Sequence, residues 1–93
     1  MIVAVSRFKA DGAVASLEAR FRSRPRLVDR HEGFLGIEVL RTTGQDPMFM
    51  LVTRWTGRAA LKKYMLSSDF RAAHHDKQEE NADFAIYEVV TSG

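Results

Sequence analysis

Two adjacent histidines, His74 and His75, are the side chains in this sequence best suited to acid-base or metal chemistry. Neighbouring residues on a helix point about 100° apart, so only one of the two can face a pocket. His74 lies four residues after Phe70, on the same side of the predicted helix, and we predict that it points inward. A neutral imidazole there could ligate iron or transfer protons, and the more ordinary interpretation is a hydrogen-bonded structural histidine.

Arginines crowd the first predicted helix. Steps of two residues turn about 200°, so these charges divide into two stripes. The set is Arg20, Arg22, Arg24, Arg26 and Arg30, with Arg22, Arg26 and Arg30 on one stripe. A solvated outer face is the ordinary explanation, and Glu18 can pair with Arg22. The alternative is a rim that binds carboxylates or phosphate. No aromatic residues alternate with these arginines, so nucleic-acid binding is not indicated.

Several aromatic residues could line a flat apolar pocket. They are Phe34, Phe49, Trp55, Tyr64 and Phe70, and most must serve as core. Tyr64 would give such a pocket one polar group. Ser6 is polar among apolar residues but lacks the Ser-x-Gly elbow of a nucleophile, and His31 is explained as a helix-end cap.

The elements that must position these residues follow from apolar periodicity. We predict strands at 2–9, 34–41, 48–56 and 84–91, with a hairpin loop at 43–47 joining the second and third. The first helix begins near Asp11, kinks because of Pro25 and closes at Gly33. Its apolar stripe is Val14, Leu17, Phe21 and Val28.

The second helix follows Gly57 and carries Ala60, Leu61, Tyr64 and Met65 on one side. The segment 67–69 resembles a second cap that restarts the helix, with Phe70, Ala73 and His74 inward, and a polar run at 76–83 precedes the last strand. The order βαββαβ predicts an α+β, ferredoxin-like plait with one antiparallel sheet.

The strands are apolar on both faces, but only two helices are available to cover them. On the third strand Met48, Met50 and Val52 point one way, and Phe49, Leu51 and Trp55 point the other. Two helices cover one face of a four-stranded sheet. The bare face therefore predicts that the sheet pairs with a second copy into a dimeric α/β barrel.

The composition favours a single globular domain and excludes several kinds of chemistry. The 93 residues predict a single domain at 1–93, and 45% apolar and 28% charged residues are typical of a globular protein. The absence of cysteine excludes disulfides and thiolate chemistry, and the net charge of +2 gives no argument for nucleic acid. We find no signal peptide and no membrane-spanning segment, so a cytoplasmic location is expected.

Three stretches, 26–36, 51–55 and 67–74, carry a family resemblance. A helix followed by Gly-Phe-x-Gly and a strand, a tryptophan on the third strand, and a helix ending in Phe-x-x-x-His together resemble the antibiotic biosynthesis monooxygenases. That resemblance implies a homodimeric α+β barrel with a small hydrophobic or aromatic ligand in an apolar pocket between sheet and helices, lined by Trp55 and Phe34.

The last helix is most similar to the haem-degrading branch of that family. This implies that haem is a possible cofactor, with His74 as its iron ligand, Phe70 beside it, and Arg22 or Arg26 near the propionates. Ser6 stands where that branch has asparagine, and it reaches less far. Tyr64 stands where the branch has tryptophan, and it would press less on a porphyrin.

A second branch oxidises phenolic substrates to quinones without a cofactor. In that case the resemblance implies that His74 is the base and that Tyr64 and Trp55 orient the substrate in a dry pocket. A third possibility is a barrel without catalytic activity, whose pocket is filled by its own side chains. The sequence leaves all three open.

Overall fold

The computed structural model describes residues 1–9, 14–23, 26–45, 47–73 and 83–93. Its strands are β1 (Ile2–Lys9), β2 (Phe34–Arg41), β3 (Met48–Trp55) and β4 (Asp83–Glu88). They form one sheet in the order β2-β3-β1-β4, and every neighbouring pair is antiparallel. The predicted ferredoxin-like fold is confirmed. β4 ends three residues before the predicted Thr91, and Val89 still donates a hydrogen bond to the carbonyl of Met1.

The helices are α1 (Val14–Ser23), α2 (Arg58–Met65) and α3 (Ser68–Ala73), with a short 3-10 helix at Leu27–Arg30. The prediction of one kinked helix reaching Gly33 is wrong, because α1 ends at Ser23 and the 3-10 helix is a separate element. Pro25, which lies between the two elements in the chain, has no amide hydrogen to donate within a helix. The predicted cap Asp11 lies outside the described residues.

Because the first helix ends at Ser23, the apolar stripe predicted for it is divided between two parts of the core. Leu17 packs with Phe8 and Phe49, and Val14 and Phe21 lie against them. Val28, which was predicted to continue that stripe, instead packs at the opposite end of the sheet with Trp55. The two halves of the predicted helix therefore stabilise different parts of the core.

The predicted restart between α2 and α3 is confirmed. The hydroxyl of Ser67 accepts a hydrogen bond from the amide of Phe70 at 3.2 Å, which is the capping geometry expected of serine at a helix start. The same hydroxyl donates to the carbonyl of Tyr64 at 2.5 Å. One side chain therefore closes α2 and opens α3, and it fixes the change of direction between them.

A glycine is required where β2 begins. Gly33 has φ of +84°, and a Cβ built there would lie 2.4 Å from the Cβ of Ala60. The carbonyl of Gly33 accepts a hydrogen bond from the amide of Thr56 at 2.8 Å. This close approach places the start of β2 directly against the start of α2.

The two faces of the sheet are covered differently. The pairing register places Ile2, Ala4 and Phe8 of β1 on the same face as Phe49 and Trp55 of β3. The buried helical residues of the described segments all pack on this face, which we call the helix face. The opposite face, which we call the open face, carries apolar residues on all four strands. They are Val3, Val5, Met48, Met50 and Val52 on the inner strands β1 and β3, Leu40 on β2 and Tyr87 on β4.

Candidate functional site

Two separate clusters make up the core on the helix face. At one end of the strands α1 buries Leu17 against Phe8 and Phe49. At the other end α2 buries Leu61 and Tyr64 against a second cluster, which contains Ile2, Ala4, Val28 and Trp55. The helices therefore cover opposite ends of the same sheet face, and the middle of the strands lies between them.

Ser6 lies in the middle of that face. The sheet register aligns it with Leu51 on β3 and with Phe84 on β4. Among the described residues, Ser6 and Leu51 belong to neither buried cluster and are only half-buried. Phe84 is 48% exposed and its neighbour on the same face, Ile86, is 39% exposed. We call this region the central gap. Its floor is apolar except for one hydroxyl.

An aromatic wall stands at one end of the central gap. The ring of Tyr64 stacks on Trp55 with a centroid distance of 5.2 Å, and Phe70 meets Tyr64 edge-on at 5.5 Å. Phe34 meets Trp55 edge-on at 5.4 Å. Four of the residues predicted for the site are therefore brought into one continuous cluster. Offset and edge-to-face contacts of this kind stabilise beyond their buried area.

Trp55 anchors this wall. Its side chain is completely buried, and its indole nitrogen donates a hydrogen bond to the hydroxyl of Thr53 at 3.0 Å. The polar atom of the ring is therefore satisfied inside the core. The ring of Trp55 belongs to the sheet, and the ring of Tyr64, which belongs to α2, stacks on top of it.

The two predicted anion-binding arginines lie on the surface. Arg22 is exposed on α1. Arg26 pairs with Asp29 at 2.7 Å and is also exposed. Glu18, which was predicted to pair with Arg22, instead pairs with Arg41 of β2. That prediction is wrong because Arg41, although distant in sequence, ends the strand beneath α1.

The residue predicted as the central ligand, His74, lies outside the described residues, as does His75. The described part of α3 ends at Ala73, directly before His74 in the chain. Its role as an iron ligand or base stays a prediction. Within the described segments no group of three or more His, Asp and Glu side chains is arranged to hold a metal ion.

A network of charged side chains that no sequence pattern indicated lies behind the aromatic wall. Asp69, in the first turn of α3, accepts hydrogen bonds from Arg30 Nε at 3.0 Å and Arg30 Nη2 at 2.8 Å. His31 Nε2 lies 2.8 Å from the same carboxylate. The interpretation of His31 as a helix-end cap is confirmed for its backbone, whose amide donates to the carbonyl of Val28 at 3.1 Å at the end of the 3-10 helix, but its side chain binds Asp69. Its partner is 38 residues away, and no local pattern links the two positions.

Both partners of this network shift the ionisation of Asp69. The hydrogen bonds from Arg30 and then from His31 lower the pKa of its carboxyl from 3.8 to about 2. A carboxyl whose pKa is lower in the folded state stabilises the fold when it is ionised. That contribution is complete above about pH 4, the ordinary value, and it is lost as the pH falls toward 2.

We therefore expect Asp69→Asn to lower the melting temperature at pH 6 and to have progressively less effect as the pH falls from 4 to 2. The reason is that protonation removes from the wild type the same charge that the substitution removes. Thermal melts of both proteins at matched ionic strength measure the difference. An undiminished gap at pH 2 would show that the charge of Asp69 is not what stabilises.

The sequence model of the family described as antibiotic biosynthesis monooxygenase matches residues 1–76, from β1 through α3. The chain belongs to the antibiotic biosynthesis monooxygenase family. No protein of curated function matches it significantly. Among the described residues, no helix is long and apolar enough to cross a bilayer.

Solved structures support this assignment. A mutant of MhuD with two manganese protoporphyrin IX molecules per active site is 26% identical, with TM-score 0.82, and the match covers 100% of this chain and 98% of that one. MhuD of Mycobacterium tuberculosis, a haem degrader seen with two haems in its active site, is 24% identical, covers 100% and 99%, and gives TM-score 0.79. SnoaB of Streptomyces nogalater, a cofactor-independent oxygenase, is 19% identical, covers 98% and 94%, and gives TM-score 0.83.

These likenesses are mainly likenesses of fold. At 19% and 24% identity the similarities to SnoaB and to MhuD with two haems show the fold alone, and the MhuD mutant at 26% lies just above that limit. Two members of one fold, one degrading haem and one working without a cofactor, are thus equally good structural matches. The monooxygenase fold is shared, and the residues of the central gap must decide the chemistry.

Proposed function

We propose that this monooxygenase-family protein binds a flat, largely apolar ring system in the central gap and promotes its oxidation, with haem as the leading candidate. The observation that supports this most directly is the division of the core into two clusters. An apolar floor lies between them, and an aromatic wall stands at one end. A largely apolar site with few polar groups is typical of small-molecule binding.

The residues present fit a porphyrin. Leu51, Phe84 and Ile86 provide apolar contact area on the floor, and the half-buried ring of Phe70, packed edge-on against the buried Tyr64, provides an aromatic contact at one end. His74 follows α3 directly and would be the iron ligand, while Arg22 and Arg26 are cations on α1 and just beyond it that could pair with propionates. Bound haem would supply the iron at which dioxygen is activated.

The chain's own polar groups would act around that ligand. The Ser6 hydroxyl, in the middle of the floor, could donate a hydrogen bond to a group bound above it. Tyr64 would bound the ligand on one side and exclude water together with Phe70. These roles are supported by position on the helix face.

We also infer that two copies of the chain pair through the open face. Leu40 and Tyr87 are exposed there although both are large and apolar. A patch of this kind is typical of a protein interface. The pairing would leave the central gap of each copy on the outer, helix-covered side of its own sheet.

A titration of the purified protein with hemin tests the proposal. We expect a saturable shift of the porphyrin absorbance band for the wild type and its loss in His74→Ala. His75→Ala is the matched control, since an adjacent histidine on a helix points about 100° away. Ser6→Phe, which fills the middle of the gap, should weaken binding about tenfold or more because one aromatic side chain displaces ligand contacts.

The outcomes separate the candidate functions. A shifted band that decays in air with a reductant would indicate haem degradation, and a stable one would indicate haem binding alone. A wild-type spectrum identical to that of free hemin would remove haem. A phenolic substrate oxidised without a cofactor would then be the next candidate, which the similarity in fold to SnoaB and the hydroxyl of Tyr64 favour.

A further inference from the structure

The carboxylate of Asp69 accepts three hydrogen bonds from side chains of one neighbouring segment. Arg30 binds both of its oxygens in the two-pronged geometry that guanidinium and carboxylate groups prefer, and His31 binds one of them as well. The carboxylate side chain is only 16% exposed and the imidazole only 19% exposed. A partly buried network with three donors on one acceptor holds its members in one geometry.

The protonation of His31 follows from this geometry. An ionised carboxylate can only accept hydrogen bonds, so the His31 nitrogen that faces it, Nε2, must carry the proton. Glutamine places an amide N–H at nearly the same position as Nε2. His31→Gln can therefore keep the hydrogen bond to Asp69, whereas His31→Leu cannot.

The network touches the aromatic wall directly. The His31 ring meets the Tyr64 ring edge-on at a centroid distance of 4.8 Å. Tyr64 in turn contacts Trp55 and Phe70. An unbroken series of contacts therefore runs from the exposed Arg30, through Asp69, His31 and Tyr64, to the fully buried ring of Trp55.

The network also joins two elements that lie far apart in the chain. Arg30 ends the 3-10 helix, and Asp69 lies in the first turn of α3, 39 residues later. An acidic residue in a first turn is favourable in itself. Tying it to Arg30 and His31 sets where α3 begins, and α3 carries Phe70 and leads into His74.

We propose that the Arg30–Asp69–His31 network is a positioning element of the ligand site, which holds Tyr64 and Phe70 at the edge of the central gap and sets the direction of α3. The inference rests on the proposed function, since it is the ligand's wall that is positioned. None of the three residues needs to touch the ligand, and their effect is transmitted through the Tyr64 ring and the start of α3.

The test compares Asp69→Asn, His31→Leu and His31→Gln with Glu18→Gln. The control removes a carboxylate of similar kind, because Glu18 pairs with Arg41 at the far end of the sheet. Two readouts are made on each folded protein: the side-chain NMR signals of Tyr64 and Phe70 without ligand, and the dissociation constant for hemin. Trp55 is the single tryptophan, so near-ultraviolet circular dichroism gives a third signal from the wall.

We expect Asp69→Asn and His31→Leu to shift the ring signals and to weaken hemin binding about tenfold, the lower range for removing a supporting partner of a site. His31→Gln should restore both toward wild type, which a loss of general stability would not explain. Ring signals that match the Glu18→Gln control would overturn the proposal, as would shifted signals with unchanged hemin affinity.

Failure of the proposed function would look different. If wild-type protein binds no hemin, that function fails, and the unliganded ring signals alone decide the positioning role. Shifts in Asp69→Asn and His31→Leu that His31→Gln reverses would then support it, and their absence would overturn it.

Discussion

Replacing Trp55 with alanine should lower the free energy of unfolding by about 3–5 kcal/mol, the range for truncating a large buried aromatic residue. The side chain is completely buried, between Phe34 and Tyr64. Alanine would remove contacts with both rings and leave a cavity that the sheet beneath cannot close. It would also leave the hydroxyl of Thr53 without the indole donor it now accepts from.

Urea unfolding followed by far-ultraviolet circular dichroism measures this loss, since the substitution removes the only tryptophan as a fluorescent probe. Protein concentration must be equal in all samples, because association would add to the apparent stability. Leu66→Ala is the control: Leu66 is 72% exposed, and its truncation should change stability by less than about 0.5 kcal/mol. A loss below about 1 kcal/mol for Trp55→Ala would mean that the wall repacks.

A milder substitution connects this result with the site. Trp55→Phe keeps an aromatic ring beneath Tyr64 and loses the hydrogen bond to Thr53, so the fold should survive with a smaller penalty. If Tyr64 depends on Trp55 for its position, both variants should bind hemin more weakly than the wild type. The loss of affinity, like the loss of stability, should be larger for Trp55→Ala than for Trp55→Phe. Trp55 would then both stabilise the core and hold the aromatic wall in place for the ligand.

The sheet was the most predictable part of the fold. The alternation of Met48, Met50 and Val52 with Phe49, Leu51 and Trp55 is a property of extended backbone, and the register of β3 against β1 places the two sets on opposite faces as predicted. The restart at Ser67 was predictable for a similar reason, since a hydroxyl that caps the amide three residues later is a local interaction.

The first helix shows what periodicity misses. Val28 continues the spacing of Leu17 and Phe21, and the sequence alone cannot distinguish a kinked helix from a helix followed by a separate turn. Packing against residues that are distant in the sequence determines which of the two forms. Val28 packs in the cluster of Trp55 and Tyr64 at one end of the sheet, while Leu17 packs with Phe49 at the other end.

The positions of the candidate site residues were predicted unevenly. Tyr64, Trp55, Phe34 and Phe70 contact one another, because large apolar residues on neighbouring elements converge on one core, while their role in lining a pocket stays a prediction. The network of Arg30, His31 and Asp69 was not predictable, since ion pairs across 38 and 39 residues leave no local pattern. His74 is still assigned only by resemblance.

The second large prediction follows from the apolar residues of the open face. Wild-type protein should be a dimer, and Val5→Glu should dissociate it. Val5 lies in the middle of this face, aligned with Val52 on one side and Ala85 on the other, so no basic side chain is aligned beside it. Pairing two open faces would remove the new carboxylate from water, at a cost of several kcal/mol. A cost of about 3 kcal/mol corresponds to more than a hundredfold weaker association.

Light scattering coupled to size exclusion gives the mass directly, with twice the chain mass of 10.5 kDa expected for wild type and the single-chain value for Val5→Glu. Leu66→Glu is the matched control, since it adds the same charge at an exposed turn between α2 and α3. Circular dichroism must show that Val5→Glu still folds. A dimer that survives Val5→Glu would place the interface elsewhere, and the apolar residues of the open face would then need a different partner. A dimer lost in both variants would indicate a general effect of charge, because Leu66 does not lie on the sheet at all.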